Sequence, residues 1–338
     1  MRSSRAARLA LTLLFTSAAT VSAQVIDLTV HDVGLAIGDK PHVTGVRINY
    51  RDGSLRKVNG MNITIWSPYE PVTGVVNGFA IGLPVTGAGT INGLGAAVFG
   101  IGAEHSITGL GLGGIGVGGG GELRGIMLGG IGVGAGGGMT GLTVGGIGVG
   151  SGGAVRGIQI GGIGVGGGGS LSGISIGGIG IGGGGSITGL SVGGIGVGGG
   201  GSIRGITLGG IGVGAGGDVT GITIGGIGVG SGGAITGLSI GGVGVGAPMI
   251  KGLAISAIGV GAQDAHAIVL TGAYFKIEKR GRFDGASVSA VSNIQGAQHG
   301  LAIGLFNYAR ELHGAQLGLI NVSDNDGRRR VLPVLSVR

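Results

Sequence analysis

A repeat of 16 residues constrains the fold of this chain more than any other feature of its sequence. The segment Gly-Gly-Ile-Gly-Val-Gly recurs without insertion or deletion, starting at Gly113, Gly129, Gly145, Gly161, Gly193, Gly209 and Gly225, with conservative variants at Gly177 and Gly241. Such a period indicates stacked units, none of them stable alone, because each buries its apolar face only against its neighbours.

The same frame extends beyond the regular region. Counted from the glycine four residues before these starts, further units begin at Gly45, Gly60, Gly78, Gly93, Gly252, Ala267, Gly285, Gly300 and Gly314. We therefore predict about eighteen units in an array over residues 45–326, with near-perfect units over 109–246. Residues 24–44 and 327–338 are predicted to cap the two ends.

The glycine content excludes several fold classes. Glycine supplies 93 of the 338 residues, and each costs about 1 kcal/mol in a helix interior relative to alanine, so the units are not helical. Collagen needs glycine at every third position with abundant proline, whereas this chain has six prolines and no period of three. A disordered chain is also excluded, because 42% of the residues are apolar and occupy fixed places in the unit.

Local alternation of apolar residues predicts short strands. Leu190 and Val192 point to one side of a strand, with Ser191 on the other. Ile195 and Val197 form a second such pair, but the alternation shifts by one residue at Gly193-Gly194, so a straight strand would put the two pairs on opposite faces. A bend at the two glycines would turn both apolar pairs into one core. This favours an all-β fold, a glycine-rich parallel β-solenoid with one coil per unit and successive coils about 4.8 Å apart.

The alternative is an up-and-down outer-membrane β-barrel, with one straight strand and one turn in each unit. Membrane-spanning strands need about 9–11 residues, which a unit can supply, and the central units carry few charges. Aromatic girdles are missing, however, and no unit sustains a polar-inward, apolar-outward alternation. The solenoid is therefore the preferred prediction.

Two polar columns are predicted on the outside of the solenoid. The first, just before each unit's first glycine, contains Thr108, Arg124, Thr140, Arg156, Ser172, Thr188, Arg204 and Thr220. The second contains Thr143, Gln159, Ser175, Ser191, Thr207 and Thr223. Together they would form a flat face able to dock a glycan, a lattice or ice, while stacked glycines such as Gly148, Gly164 and Gly180 would leave an opposite face suited to self-association.

The first polar column ends with the only candidate metal ligands. His266, Asp284, His299 and His313 follow one another in it, and stacking would bring His299 and His313 to about 5 Å from each other. Imidazoles beside a carboxylate suit zinc or copper. The irregular spacing around Asp284 favours a solvated polar ladder instead, so no metal site is predicted.

The N-terminal residues predict export. Arg2, Arg5 and Arg8 precede an apolar stretch, and Val21-Ser22-Ala23 has the small residues of a cleavage site. This pattern is typical of a bacterial signal peptide over residues 1–23. The expected location is the cell surface, outer membrane or extracellular space, with the periplasm as an alternative.

The remaining composition argues against most chemistry. Residues 24–338 hold 18 basic and 14 acidic residues without a basic patch, so no nucleic acid is expected as a partner. The absence of cysteine excludes disulfides and thiolate metal sites. Gly-x-Gly-x-x-Gly, the pattern of dinucleotide-binding loops, occurs for example at Gly116–Gly121. Such a loop needs a helix after it, and here the pattern recurs with the repeat and without a helix, so it does not indicate a nucleotide site. We predict no enzyme activity, no catalytic residues, no cofactor and no small-molecule substrate.

The two ends of the array resemble a known family. Gly300–Ala309 and Gly314–Ser323 are similar to units of the type Gly-x-Gln-x-Gly-Leu-x-Asn in a poorly characterised family of bacterial surface-repeat proteins. Gly45–Tyr50, Gly60–Trp66 and Arg330–Leu335 resemble it too. The central units depart from it, having glycine, as at Gly180 and Gly196, where the family has asparagine. The resemblance implies an exported, surface-associated protein without known enzymatic activity.

These observations predict a structural or interaction protein. We expect a rigid scaffold or adhesin-like spacer that acts through many identical contacts, with self-association or a surface ligand as its partner. An outer-membrane pore is the expectation if the units are barrel strands. A self-assembling, ice-binding or glycan-binding flat β surface is the third hypothesis.

Overall fold

The protein is a β-solenoid. The computed structural model describes residues 25–338, and the predicted signal peptide at residues 1–23 lies outside the described residues. The structure is 73% strand and 1% helix, and it forms about 16 turns. The predicted fold class is confirmed, with a turn number close to the eighteen units counted in the sequence.

The strands follow one another along the chain. The N-terminal part contains β1 (Ile26–Val30), β2 (Val33–Ile37), β3 (His42–Asn49), β4 (Lys57–Thr64), β5 (Val75–Gly82), β6 (Val85–Ala97) and β7 (Gly100–Gly113). The regular part contains β8 (Gly116–Gly119), β9 (Glu122–Gly129), β10 (Gly132–Ala135), β11 (Met139–Gly145), β12 (Gly148–Ser151), β13 (Val155–Gly161), β14 (Gly164–Gly167), β15 (Leu171–Gly177), β16 (Gly180–Gly183), β17 (Ile187–Gly193), β18 (Gly196–Gly199), β19 (Ile203–Gly209), β20 (Gly212–Ala215), β21 (Val219–Gly225), β22 (Gly228–Ser231) and β23 (Ala234–Gly241). The C-terminal part contains β24 (Gly244–Ser256), β25 (Gly259–Thr271), β26 (Tyr274–Ile277), β27 (Arg282–Val288), β28 (Val291–Ser323), a 3-10 helix (Asn325–Gly327) and β29 (Arg330–Val337).

Successive coils pair in parallel and in register. β17 lies between β15 and β19, so that Leu190 lies beside Ile174 and Ile206, one repeat away on each side. The short strands pair in the same way, with β18 between β16 and β20. Within residues 25–338 the antiparallel pairs are β1 with β2 and β28 with β29. An up-and-down barrel needs antiparallel neighbours throughout, so that alternative is wrong.

One coil consists of a long strand, a tight corner, a short strand and a glycine-rich turn. The long strand β17 ends at a corner formed by Gly194-Ile195, the short strand β18 follows, and residues 200–202 lead into β19. This corner lies within one residue of the bend that the shifted alternation predicted at Gly193-Gly194.

Two apolar columns fill the wide part of each coil. The long strands contribute side chains that are at most 1% exposed: Ile107, Leu123, Met139, Val155, Leu171, Ile187, Ile203, Val219 and Ile235. The short strands contribute side chains that are at most 4% exposed: Val117, Val133, Val149, Val165, Ile181, Val197, Val213, Val229 and Val245. Burial of these aliphatic groups along the whole rod is the main source of its stability.

A third inward column is polar, which contradicts the sequence prediction. The side chains predicted to form a second outward column are at most 2% exposed: Thr143, Gln159, Ser175, Ser191, Thr207 and Thr223. Leu190 and Val192, predicted to face the core, instead lie on the outside, as does Ile195 at 50% exposure. Of the two predicted inward pairs, only Val197 is buried.

The narrowness of the coil near its corner explains this inversion. A Cβ on Gly193 would lie 2.2 Å from the carbonyl oxygen of Gly196, in the short strand of the same coil. The two strands approach so closely here that small side chains such as Ser191 fit inside, whereas most larger ones do not.

Polar networks close the N-terminal end. Lys40 Nζ donates to Asp27 Oδ2 at 2.7 Å and to Thr29 Oγ1 at 2.6 Å, which ties β1 to the loop before β3. Arg47 is fully buried, pairs with the carboxylates of Asp39 and Asp52, and donates to Asn62 Oδ1 at 2.7 Å. The buried guanidinium is therefore neutralised and hydrogen bonded, as burial of a charge requires.

At the other end, β29 covers part of β28 in antiparallel register, from Ala315 opposite Val337 to Ser323 opposite Arg330.

No helix within residues 25–338 is long and apolar enough to cross a membrane.

We predict opposite effects for alanine at two glycines of one coil. Gly189→Ala should lower the unfolding temperature, because it forces a side chain into the left-handed region and against the neighbouring backbone. Gly198→Ala should leave it unchanged or raise it, since a Cβ there meets nothing within 4 Å and alanine costs less strand entropy. Thermal unfolding followed by circular dichroism measures both, and equal destabilisation would contradict the described coil.

A second prediction concerns the cap. The hydrogen bond from Lys40, with those from the Thr29 side chain and backbone, lowers the pKa of Asp27 from 3.8 to about 2. The stabilisation by this carboxylate is therefore present above pH 3.8 and lost as the pH falls towards 2. In an NMR titration, Lys40→Met should return the pKa of Asp27 towards its usual range, whereas Lys251→Met should not. An ordinary pKa for Asp27 in the unaltered protein would contradict the ion pair.

Candidate interaction surface

Three columns of aliphatic side chains cover the outside of the long strands and corners; we call them the aliphatic face. The first column contains Leu110, Ile126, Leu142, Ile158, Ile174, Leu190, Ile206, Ile222 and Leu238. The second contains Leu112, Leu128, Val144, Ile160, Ile176, Val192, Leu208, Ile224 and Ile240. The corner column contains Ile115, Ile131, Ile147, Ile163, Ile179, Ile195, Ile211, Ile227 and Val243. All 27 side chains are half-buried or exposed.

The corner column is the most regular part of this face. Its side chains are 45–53% exposed in all nine coils. The backbone at this position is held by short hydrogen bonds, with Ile195 N donating to Ile179 O at 2.6 Å and Ile211 N donating to Ile195 O at 2.6 Å. The exposed isoleucines therefore stand on a rigid ladder and are not part of a loose loop.

The area of the aliphatic face is large for a monomer. Fully burying one aliphatic side chain removes roughly 60–120 Å² of apolar surface from water, the area that corresponds to about 1.5–3 kcal/mol. The corner side chains are 45–53% exposed and those of the other two columns mostly less, so the 27 side chains together leave on the order of 1,000 Å² accessible. The largest apolar patch on a typical soluble monomer is about 300–600 Å² and is often functional.

An apolar groove continues this face towards the N-terminus. It encloses about 630 Å³ and follows the second column from Val144 back to Ile81. Leu83 and Val98 also line it, and glycine pairs such as Gly113-Gly114 contribute bare backbone. The aliphatic face therefore includes a concave segment as well as flat columns.

The first predicted polar column lies outward, as expected, beside the aliphatic face. Arg124 forms an exposed pair with Glu122, and Arg156 and Arg204 have no ion pair within the described part of the chain. Towards the N-terminus the same column becomes an amide ladder, in which Asn92 donates to Asn77 at 2.9 Å and Asn77 donates to Asn59 at 2.8 Å. Because the second polar column is buried, the predicted two-column hydroxyl face for ice or glycan docking is absent from the surface.

The opposite side of the solenoid is bare backbone. Gly148, Gly164 and Gly180 stack in parallel register as predicted. The outward glycines of the short strands have open space beyond them: a Cβ would meet nothing within 4 Å at Gly134, Gly150, Gly182, Gly198, Gly214, Gly230 and Gly246. Larger side chains would fit there, so the fold itself does not require this flat glycine surface.

The predicted histidine ladder forms near the C-terminal end. His266 Nδ1 lies 2.9 Å from Asp284 Oδ2, and His299 Nδ1 lies 3.4 Å from Asp284 Oδ1. The rings of His299 and His313 stack with their centroids 4.9 Å apart, close to the predicted separation. Over residues 25–338 no group of three or more histidine, aspartate or glutamate side chains is arranged to hold a metal ion.

The amides of the C-terminal units have a structural role. Gln316 Nε2 donates to Gln298 Oε1 at 3.0 Å, and Asn307 Nδ2 donates to Asn321 Oδ1 at 2.8 Å. All four side chains are at most 1% exposed. The asparagines of the two units therefore pair with each other inside the solenoid, and Gln316 pairs there with a glutamine that precedes the first unit, so none of them is available to a ligand.

Sequence reasoning missed the aliphatic face because it placed these side chains in the core. The available signal was the aliphatic residue two positions before each unit's first glycine, such as Ile187 before Gly189. Counting alternation from Ile187 puts Ser191 and Gly193 inside and leaves Leu190 and Val192 outside.

Comparison with models of known protein families, with curated proteins and with solved structures finds no match to this chain.

Truncating neighbouring aliphatic residues tests the assignment of inside and outside. Val197→Ala should lower the unfolding temperature clearly, because it removes methyl groups from a buried column. Ile195→Ala removes more atoms but should cost less, because its side chain is 50% exposed. Thermal unfolding of the two variants decides the question; a larger loss for Ile195→Ala would mean that the corner column is buried.

Proposed function

We propose that this protein is a rigid, non-catalytic rod that associates side by side with copies of itself through the aliphatic face. In this role it is a scaffold or adhesin-like spacer at the outside of a bacterial cell. The observation that carries the proposal is the outward position of the 27 aliphatic side chains on nine regular coils.

The available area supports a second copy as the partner. A stable protein interface buries about 800 Å² on each partner, and the aliphatic face offers on the order of 1,000 Å² of apolar surface. The side chains of the face carry no charge, and obligate interfaces between copies of one chain have this apolar character.

The spacing of the columns supports the same partner. Each column repeats once per coil, about every 4.8 Å along the rod. A second copy has the same spacing, so its side chains can fit between successive side chains of the first along the whole contact. Many weak identical contacts then add up, and a long array strengthens the association without any new kind of contact.

The sequence supports the exported, non-catalytic part of the proposal. The signal-peptide pattern at residues 1–23 predicts export, and the ends of the array resemble bacterial surface-repeat proteins. Between Ile107 and Ala262 the ionisable residues are Glu122, Arg124, Arg156, Arg204, Asp218 and Lys251. That region, which includes the whole aliphatic face, therefore has few groups for acid–base or nucleophilic chemistry.

The proposal is tested by replacing part of the corner column. A variant with Ile147→Thr, Ile163→Thr, Ile179→Thr and Ile195→Thr keeps β-branched side chains in place and makes them polar. Residues 24–338 should sediment as dimers or larger assemblies in sedimentation velocity at micromolar concentration, and the variant should be shifted towards the monomer. Circular dichroism should show both proteins folded, because the substituted side chains are half exposed.

A matched control changes the opposite side of the rod. Gly150→Ser, Gly182→Ser, Gly198→Ser and Gly214→Ser add polar side chains where there is open space. This variant should assemble like the unaltered protein. Loss of assembly in the glycine variant alone would place the contact on the glycine side, and a monomeric unaltered protein would refute lateral self-association.

A further inference from the structure

Within residues 24–338 the excess positive charge lies at one end of the rod. Residues 24–275 hold nine basic and nine acidic residues, whereas residues 276–338 hold nine basic and five acidic residues. The long apolar array is therefore electrically balanced, and its C-terminal end is positive. A local excess of one sign attracts ligands of the opposite sign.

Several of these cations line one cavity. It encloses about 1,260 Å³ beside the 3-10 helix, and Lys279, Arg310 and Arg329 lie on its walls with Arg338 and His313. Lys279 comes from the loop between β26 and β27, Arg310 from β28 and Arg329 from the segment before β29. Folding thus gathers positive charges that are far apart in the sequence.

Two of the cations form no ion pair with the described residues. Arg329 is neutralised by Asp324, with Nε donating to Oδ1 at 2.9 Å. This contact, together with the hydrogen bond from the Tyr308 hydroxyl at 3.0 Å, holds the pKa of Asp324 below its usual range and keeps it charged. Lys279 and Arg310 form no ion pair within the described residues, and the lining carboxylate of Glu311 forms none there either.

Hydrogen bonds hold one wall of the cavity in place. Asn325 is 4% exposed, its Oδ1 accepts from Leu312 N at 3.0 Å, and its Nδ2 donates to Leu312 O at 3.0 Å. This double contact fixes the 3-10 helix against β28, which positions the arginines on both sides before any ligand arrives. Positioning in advance lowers the entropy that a ligand must lose on binding.

We propose that this cavity binds an acidic saccharide through its sulfate, phosphate or carboxylate groups. Guanidinium groups match such anions with paired hydrogen bonds, and lysine adds a point charge. The volume exceeds the range of roughly 300–1,000 Å³ typical of small-molecule sites, which fits several sugar rings better than a single ion. In this arrangement the rod carries a recognition site at its end, apart from the aliphatic face.

Isothermal titration calorimetry of residues 24–338 at low ionic strength tests the proposal, with a heparin-derived sulfated hexasaccharide as the probe and a neutral dextran hexasaccharide as the control ligand. The sulfated probe should bind and the neutral one should not. Lys279→Gln with Arg310→Gln should weaken binding by at least about tenfold, since charge-assisted hydrogen bonds are lost. The matched control, Arg156→Gln with Arg204→Gln, removes the same charge from the array and should leave binding unchanged.

A third variant works in the opposite direction. Glu311→Gln removes one negative charge from the cavity wall and should strengthen binding of the sulfated probe, an outcome that misfolding cannot produce. Absence of binding by the unaltered protein, or equal weakening by the two double variants, would overturn the proposal. The sedimentation of these variants should match that of the unaltered protein, so the outcome is independent of lateral assembly.

Discussion

The backbone hydrogen-bond ladder between successive coils is the interaction on which the rest of this structure depends. Each strand pairs in parallel with the equivalent strand one repeat away, as Leu190 does with Ile174 and Ile206. The pairing places equivalent residues in columns along the rod, so each position in the unit has the same environment, inward or outward, in every coil. Isoleucine, serine and glycine therefore recur at fixed places because each packs against its own kind in the next coil.

The thinness of the coil decides which columns face outward. Close approach of the long and short strands at Gly193 leaves room inside for small side chains, and Ser191 occupies it. The aliphatic residues that alternate with it on the same strand point outward, which gives the rod an apolar exterior as well as an apolar core. Apolar surfaces of this extent are often interaction sites, and a copy with the same spacing is the partner proposed.

Much of the fold could be predicted from the sequence, because a period of 16 residues with eight glycines in a typical unit excludes helices and favours stacked strands. The corner near Gly193-Gly194 and the outward column through Thr188 followed from local alternation. The positions of Ser191 and Leu190 did not, because alternation allows two phases and hydrophobicity favoured the wrong one. The C-terminal cavity was beyond sequence reasoning, since Lys279, Arg310 and Arg329 meet only when the chain folds.

The most direct test of this account uses the absence of cysteine from the chain. Single substitutions Ser191→Cys, Ile195→Cys and Val197→Cys each introduce one thiol into the same coil. Its rate of reaction with a maleimide, measured at a dilution at which the protein sediments as a monomer, reports exposure in the native state. We expect fast labelling at position 195 and slow labelling at positions 191 and 197 until the protein is unfolded. Fast labelling at 191 with protection at 195 would show that the aliphatic residues form the core, and the proposed interaction face would not exist.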